Sequence, residues 1–363
     1  MSTPGTDPSD RANAGDEPGL PWLMTPLRRT LETQQAHALL IHGPGGVGQF
    51  ELALALAKGW LCEASDRPLV DRPCGQCASC KLHAAHSHPD LLVLVPEALR
   101  ESLGWDVGGN EGEEAGEGKR KPSKEIRVEA VRAAIAFATT TSARGRGKVV
   151  VVHPAERMND VAANAFLKTL EEPVGDARFL LCSAAPDSLL ATIRSRCQQV
   201  VLPVPSAADA EAWLTRRGIA QPGILLAASG GQPQHALDLA ERGIDAAAWL
   251  ALPRRIAAGD ATALQGWSLP AAVDALQKIC HDAAALACGG APRYFPKERV
   301  VSEADLDALL RWSRELARVA AEAEHPWSVD LAVESLVGQG REALKTPRSR
   351  PHSREGLSLN STG

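Results

Sequence analysis

The sequence predicts an α/β protein whose first domain is a three-layer parallel sheet, with helical domains following it. Five short runs are nearly continuous in Val, Leu and Ile, and they lie at 38–41, 91–95, 148–152, 178–182 and 199–202. Apolar runs without polar alternation are typical of strands that helices cover on both faces. Segments with helical spacing separate these runs, and a repeated strand–helix–strand order predicts a parallel sheet.

Two of the separating segments carry an apolar stripe at helical spacing. In the segment 159–172 the positions i, i+3, i+4 and i+7 are Ala163, Phe166, Leu167 and Leu170. Pro173 follows this stripe, and a proline disfavours the helical conformation in the residue before it. A second stripe, in the segment 125–138, consists of Val128, Val131 and Ile135. Such stripes are typical of helices that pack one face on a core, so both segments are predicted to be helices.

The composition changes near residue 205, which divides the chain into predicted domains. Residues 20–205 contain all five strand runs and are predicted to form the α/β domain. Beyond them Ala and Leu recur at helical spacing, with breaks rich in Gly and Pro. We predict a small helical domain at 206–242 and a helical bundle at 243–344.

Three segments are rich in Gly, Pro, Ser or charged residues. The two ends of the chain, 1–19 and 345–363, are predicted to be disordered because they contain too few apolar residues to form a core. An internal segment at 104–124 combines glycines with an acidic block and a basic block. It is predicted to be a flexible, solvated surface insertion rather than a binding arm.

A glycine-rich loop follows the first strand run and precedes a helical segment, which is where a phosphate-binding loop is found. Gly43 and Gly48 have the spacing of the motif G-x-x-x-x-G-K-[ST]. The lysine that pairs with the phosphates is replaced by Gln49, and the hydroxyl residue that binds Mg²⁺ is replaced by Phe50. The motif therefore predicts a degenerate loop, with glycines kept for the turn and packing and with no ATP hydrolysis.

A nucleotide-hydrolysing site also needs a carboxylate that holds Mg²⁺ at the end of a later strand. The run 148–152 is followed by His153 and Pro154, and the first acidic residue is Glu156. We interpret Glu156 as a surface residue. The sequence therefore predicts that the Mg²⁺-binding carboxylate is missing, in addition to the lysine and the hydroxyl of the loop.

Four cysteines lie close together in the segment 62–80, with the spacing C-x₁₁-C-x₂-C-x₂-C at Cys62, Cys74, Cys77 and Cys80. Two thiolates in a C-x₂-C pair suit tetrahedral Zn²⁺. An iron–sulfur cluster is the alternative, although the bacterial ferredoxin pattern C-x₂-C-x₂-C-x₃-C-P does not continue after Cys80, because Ala84 occupies the position of the next cysteine. We favour one structural Zn²⁺ per chain, because four sulfur ligands leave no open coordination position.

Arg194 and Arg196 lie just before the last strand run. An arginine at the edge of an α/β domain can reach the γ-phosphate in a neighbouring subunit, as arginine fingers do. The residues alone favour a surface ion pair over this role.

The overall charge and hydropathy exclude several classes of protein. The formal charge is −5, from 39 basic and 44 acidic residues, and it argues against strong nucleic-acid binding by the chain alone. No apolar run is long enough to span a membrane, and the N-terminal residues do not resemble a secretory signal. We therefore expect a cytoplasmic protein without disulfides.

Several motifs occur in an order that resembles one protein family. "GPGGVG", the four-cysteine segment, "HPDL", "IRVEAVR", "NDVAANAFLKTLEEP" and "SRC" follow one another in this chain. This series resembles the delta-prime subunits of bacterial DNA polymerase III, which are AAA+ proteins and the stator of the sliding-clamp loader. The resemblance covers about residues 21–240, and the degenerate loop distinguishes delta-prime from the gamma and tau ATPase subunits.

The resemblance implies a set of roles. The domains at 206–242 and 243–344 would be the AAA+ lid and the collar that joins the ring. The chain would hold no ATP in cis, and Arg196 would complete the ATP site of an adjacent gamma subunit. Its partners would be gamma or tau and delta in a hetero-pentamer that loads the clamp on primed DNA. The four cysteines would be the ligands of the family's zinc module. The chain would be a subunit of a DNA-directed DNA polymerase holoenzyme (nucleotidyltransferase).

Two departures from the ATPase subunits agree with a silent nucleotide site. Gln234 lies where those subunits carry a lid arginine that senses nucleotide, and Ser183 followed by Ala184 lies where they carry a polar sensor. Two alternative functions remain at this point. One is a self-sufficient AAA+ ATPase with an altered loop, and the other is a zinc-dependent DNA-binding regulator.

Overall fold

The computed structural model describes residues 19–33, 36–105, 122–173, 175–301, 304–322 and 328–345. The predicted disordered ends, 1–19 and 345–363, lie outside these residues except for Gly19 and Lys345. Most of the predicted flexible insertion, from 106 to 121, also lies outside them.

A five-stranded parallel sheet forms the centre of the first part of the chain. Its strands are β1 Ala38–His42, β2 Leu91–Leu94, β3 Lys148–Val152, β4 Ala177–Ser183 and β5 Gln198–Val201. The spatial order is β2-β3-β4-β1-β5. In the register, Leu39 of β1 lies opposite Leu180 of β4 on one side and opposite Gln198 of β5 on the other.

The central strands are buried, as continuous apolar runs predict, but the edge strand β5 is not. Every residue of β3 is buried, whereas Val201 in β5 is 63% exposed. The expectation that all five runs are covered on both faces is therefore wrong for β5. A strand at the edge of the described sheet has a neighbour on one side only, and a short apolar run does not reveal this position.

Helices cover both faces of the sheet. The helices within the first 219 residues are α1 Met24–Thr33, α2 Gln49–Leu61, α3 Ala78–Ala84, α4 Glu97–Arg100, α5 Val128–Thr139, α6 Asp160–Glu171, α7 Ala191–Arg194 and α8 Ala207–Arg216. Alternate strand residues such as Leu40 and Val150 join a core with α5 and α6. The other face packs on α2, where Cys182 of β4 contacts the Gln49 carbonyl. The predicted three-layer arrangement is confirmed.

The two predicted helices have clear local causes. Asn159 caps α6 by accepting a hydrogen bond from the Ala162 N–H at 2.9 Å, and side-chain caps of this kind favour helix initiation. The helix ends before Pro173, as predicted. Phe166 and Leu170 of its stripe are buried. The helix predicted at 125–138 is α5.

The chain divides into two compact units, one formed by residues up to 219 with 231–237, and one formed by 220–230 with residues from 238 onward. The helices of the second half are α9 Pro222–Ala228, α10 Pro233–Glu241, α11 Ala246–Ala258, α12 Leu269–Ala287, α13 Leu306–Ala321 and α14 Val329–Ala343. The predicted boundaries of the lid and collar domains stay predictions.

The second unit is an all-helical bundle among the residues that the structure describes. Trp312 of α13 is buried, and its indole N–H donates to the Leu336 carbonyl of α14 at 3.0 Å. A Cβ atom at Gly340 would lie 2.6 Å from the Trp312 ring. Glycine at this position therefore allows the two helices to approach closely.

Candidate functional site

The glycine-rich loop connects β1 to α2 at the carboxyl end of the sheet. Gly46 and Gly48 have positive φ angles of 67° and 103°, which favour glycine. A Cβ atom at Gly48 would lie 2.5 Å from the Leu20 side chain, and one at Gly43 would collide with the Leu202 carbonyl. The glycines are thus required by the turn and by close packing, independently of any nucleotide.

Gln49 lies at the position of the phosphate-binding lysine, and its side chain folds back into the loop. Its Nε2 donates to the carbonyl oxygens of Gly43 at 2.8 Å and Pro44 at 2.7 Å. The residue is buried, with 6% of its surface exposed. The amide therefore ties the beginning of the loop to the start of α2, and it presents no charge to a phosphate.

Phe50 lies at the position of the Mg²⁺-binding hydroxyl and is buried among aromatic rings. It stacks on His153, with ring centroids 4.7 Å apart and planes inclined by 20°. It also packs edge-to-face with Trp105, with ring centroids 6.2 Å apart. His153 follows β3, where a hydrolytic site would carry its carboxylate. An aromatic stack consequently joins the two positions that would hold the metal ion.

The outer side of the loop is covered by the segment 233–235. The His235 ring lies so close to Gly46 that a Cβ atom there would be 2.8 Å from Cδ2 of the histidine. The Gln234 backbone N–H donates to the Gly46 carbonyl at 3.2 Å. The Gln234 side chain donates a hydrogen bond to Glu51. Burial raises the pKa of Glu51, although this hydrogen bond acts in the opposite direction.

Glu156, interpreted from the sequence as a surface residue, is half-buried. Its Oε1 accepts a hydrogen bond from the Ala184 N–H at 3.1 Å. Its Oε2 is buried and has no hydrogen-bond partner among the described residues. The short turn Ala155–Arg157 after β3 directs this carboxylate toward the end of β4. A carboxylate here, with neither a lysine nor a hydroxyl nearby in the loop motif, disfavours a bound phosphate.

The four predicted cysteine ligands come together in space. Their sulfur atoms all lie within 4.8 Å of one another, and the Sγ atoms of Cys62 and Cys77 are 4.0 Å apart. This separation excludes a disulfide, for which about 2.05 Å is needed. It suits a tetrahedral ion with metal–sulfur distances of about 2.3 Å, for which the sulfurs are about 3.8 Å apart. The sulfurs therefore fit a metal ion, and among the described residues no histidine or carboxylate joins this cluster.

Local structure positions these sulfurs. Cys62 immediately follows α2, and Cys77 caps α3, which carries Cys80. Backbone N–H groups of Cys74, Cys77 and Cys80 each point at the sulfur of the preceding ligand, at 3.4 Å in every case. Burial opposes ionisation of Cys74, but backbone and side-chain hydrogen bonds outweigh it and lower its pKa to about 6. The thiolate form is thus favoured at Cys74, whereas burial raises the pKa of the Cys62 and Cys80 thiols. A bound zinc-type ion would itself deprotonate these coordinating thiols.

We call the segment 62–84, which carries the four cysteines and α3, the metal module. The "HPDL" motif connects this module to the sheet. His88 is buried; its Nδ1 accepts from the Asp90 N–H at 3.0 Å, and its Nε2 lies 2.6 Å from Ser79 Oγ. Asp90 is fully buried and accepts hydrogen bonds from the 142–144 turn, while Lys148 of β3 lies 3.4 Å away. The sequence analysis used His88 and Asp90 only as part of the "HPDL" motif. It did not detect this network.

Trp105 is a second residue that sequence reasoning missed. It lies in the segment predicted to be a solvated insertion, yet it is buried, with 5% of its surface exposed. Its ring stacks on His86 with centroids 3.9 Å apart, and it packs edge-to-face with Phe50. His86 follows α3 of the metal module. The aromatic residue in a glycine-rich stretch was the one available signal for this contact.

Arg196 and Arg194 both form ion pairs within the chain. Nε and Nη2 of Arg196 donate to one oxygen of Glu171 at the end of α6, and Nη1 donates to the Thr192 carbonyl at 2.9 Å. Arg194 pairs with Asp187 at 2.7 Å. The surface ion pair that the residues alone favoured is therefore present in both cases.

A family profile described as DNA polymerase III, delta subunit, matches residues 21–206, which is just over half of the chain. The chain belongs to this family. The matched region contains the degenerate loop, the cysteine cluster and both arginines. The resemblance to this family that was inferred from the motifs is thereby confirmed.

Individual members of the family are similar over the same region. The DNA polymerase III subunit delta′ of Pseudomonas aeruginosa is 41% identical over 58% of this chain and 58% of its own length. That of Escherichia coli is 36% identical over 60% of each. A gamma subunit-related protein from Thermotoga maritima, known by crystal structure, is 18% identical with a TM-score of 0.45, over 89% of this chain and 99% of its own.

The match thus spans less than two thirds of the length of these delta′ relatives. Within the described parts of the chain, no helix combines the length and the apolar character that crossing a membrane requires.

Proposed function

We propose that this chain is the ATPase-inactive delta-prime stator of a DNA polymerase III clamp loader. In this role it would contribute a rigid AAA+ domain and one arginine to a ring of gamma or tau and delta subunits. The ring would place the sliding clamp on primed DNA during replication. Membership of the family supports the subunit assignment, and the contacts of the loop support the silent nucleotide site.

The main support for this proposal comes from the two motif positions that would bind ATP–Mg²⁺. The side chains there make contacts within the chain instead. Gln49 bonds to two loop carbonyls, and Phe50, at the motif position of the Mg²⁺-binding hydroxyl, stacks on His153. Binding ATP–Mg²⁺ would require both contacts to break, while no lysine or hydroxyl is available to replace them. We therefore expect neither hydrolysis nor tight nucleotide binding in cis, which disfavours the self-sufficient ATPase.

The proposed contribution to chemistry is made in trans. In the neighbouring ATP site, water attacks the γ-phosphorus, the bond to the β–γ bridging oxygen breaks, and ADP and phosphate form. Charge on the γ-phosphoryl oxygens and the bridging oxygen must be stabilised, and a guanidinium from an adjacent subunit can do this. Arg196 is proposed for this role, because it belongs to the "SRC" motif and its side chain is 30% exposed beside the sheet edge.

One Zn²⁺ is proposed at Cys62, Cys74, Cys77 and Cys80, with a structural role. Four closely spaced sulfurs and converging N–H groups support a tetrahedral thiolate site. An ion held there would cross-link the end of α2 to α3 and hold the module on the sheet.

The partners are proposed to be gamma or tau and delta in a hetero-pentamer, acting in the cytoplasm. The chain would reach the clamp and primed DNA as part of this complex. The net charge of −5 makes independent duplex binding unfavourable, which disfavours a DNA-binding regulator.

Two measurements test the proposal. Isothermal titration of the isolated chain with ATP–Mg²⁺ should show no saturable tight binding. A complex reconstituted with gamma and delta should hydrolyse ATP faster in the presence of clamp and primed DNA when this chain is included. Tight ATP binding, or full clamp loading by gamma and delta without the chain, would contradict the proposal.

A further inference from the structure

The guanidinium of Arg196 is held by one carboxylate and one backbone carbonyl. Its Nε, 2.5 Å from Oε1 of Glu171, and its Nη2 both donate to that oxygen, and Nη1 donates to the Thr192 carbonyl. Arginine has five N–H donors in a planar fork. Beyond these three bonds one N–H on Nη2 and one on Nη1 remain, and Ser195 Oγ lies 3.5 Å from Nη1.

This leaves open the edge of the fork that binds an anion through two parallel hydrogen bonds. Glu171 lies behind the guanidinium, at the Nε side, and does not occupy that edge. A phosphoryl group from outside the chain can thus meet the Nη1–Nη2 edge without displacing Glu171.

Arg194, two residues away, is held differently. Only its Nη1 has a carboxylate partner, and that partner, Asp187, is 98% exposed. The Glu171 side chain is 46% exposed and stands at the end of α6, which packs on the sheet core. The structure therefore orients Arg196 more firmly than its neighbour in the same motif region.

We infer that Glu171 is a positioning residue for Arg196, orienting its guanidinium toward an anionic phosphoryl group supplied by a neighbouring subunit. This inference rests on the proposed function, because the phosphoryl group belongs to the partner's ATP site. Holding a long side chain in one rotamer before the encounter removes an ordering cost from the reacting complex. The charge of Glu171 opposes this benefit by offsetting that of Arg196, but solvent screens a pair that is this exposed.

The test uses the reconstituted complex of gamma, delta and this full chain, with clamp and primed DNA. Glu171→Ala should lower kcat for ATP hydrolysis about 3- to 10-fold, with an unchanged KM for ATP. Glu171→Gln should stay within about twofold of wild type, because one amide oxygen can accept both N–H groups. Glu172→Gln is the matched control, since it removes an adjacent charge that has no hydrogen bond to Arg196 in the described structure. Size-exclusion chromatography should show normal ring assembly for all variants.

Arg196→Ala in the same assay separates the two claims. If Arg196→Ala slows hydrolysis and Glu171→Ala does not, the positioning role is overturned while the arginine finger stands. If Arg196→Ala itself retains the wild-type rate, both are overturned. A faster rate for Glu171→Ala, or a defect confined to KM or assembly, also contradicts positioning. In the Arg196→Ala background, Glu171→Ala should cause no further loss.

Discussion

The Phe50 ring lies stacked on the His153 imidazole, with centroids 4.7 Å apart, at the place where a nucleotide-hydrolysing relative would bind Mg²⁺. Two residues from separate parts of the chain thus form an aromatic stack at the two motif positions where metal-binding groups are expected in an ATPase. Each ring packs on the other, so a substitution that restored a metal-binding group at one position would leave the other without its packing. Gln49 adds a second stabilising contact, because its side chain donates hydrogen bonds to the Gly43 and Pro44 carbonyls.

The double variant Gln49→Lys with Phe50→Thr should therefore remain inactive. It restores the lysine and the hydroxyl, but His153 still lies where the metal-binding carboxylate is needed. It also removes a buried ring, so the free energy of unfolding should fall by about 2–4 kcal/mol. A coupled ATPase assay and chemical denaturation measure the two effects. ATP turnover by this variant well above that of wild type would contradict the account.

The stability of the α/β unit should fall in mild acid because of His153. Burial lowers its pKa to about 4, and its Nδ1 has no hydrogen-bond partner among the described residues. The unfolded chain, with an ordinary pKa of about 6.5, binds the proton more readily than the folded chain between these two values. Stability linked to His153 is thus complete above about pH 6.5 and is lost progressively toward pH 4.

His153→Phe should keep the stack and remove this acid sensitivity. Between pH 7.5 and pH 5, wild type should lose about 2 kcal/mol more of its unfolding free energy than the variant. Guanidinium denaturation at both pH values gives the comparison. Phe50→Leu is the control, since it weakens the same contact without a titrating group and should act equally at both values. An identical loss in wild type and His153→Phe would show that another group controls this range.

Metal content should be one Zn²⁺ per chain and should depend on the sulfur cluster. Cys77→Ser should lower the zinc content and expose the module to proteolysis, because one ligand and the contact of the Cys80 N–H with Cys77 Sγ are lost. The sheet should survive, since its core lies outside the module. Cys288→Ser, at an exposed cysteine far along the chain, is the matched control. Elemental analysis that finds iron, or no metal in protein purified without chelators, would reject the assignment.

The elements that sequence predicted well are those specified by short-range patterns. The strands, the helix α6 with its Asn159 cap, and the cluster of four cysteines all follow from spacing within a few residues. The exposed position of β5 could not be predicted, because edge or centre depends on the order of strands in space. The partners of Gln49 depend on the conformation of the loop. The stack of His153, Phe50 and Trp105 brings together three segments that lie far apart in the sequence.

The last prediction concerns the chemistry of Arg196. Arg196→Lys should support ATP hydrolysis in the adjacent gamma subunit poorly, with a loss of about tenfold or more at that site. Lysine keeps the charge, but its ammonium group cannot bond to Glu171, to the Thr192 carbonyl and to a phosphoryl group in one plane. The variant should fold and join the ring, because the side chain is partly exposed and belongs to no buried cluster. Arg194→Lys and Arg194→Ala are the controls, and both should retain most activity. Hydrolysis, measured per complex with clamp and primed DNA, should therefore separate the two arginines. Equal losses at both positions would indicate a general contribution of positive charge, and normal hydrolysis with Arg196→Lys would show that the planar fork is not required.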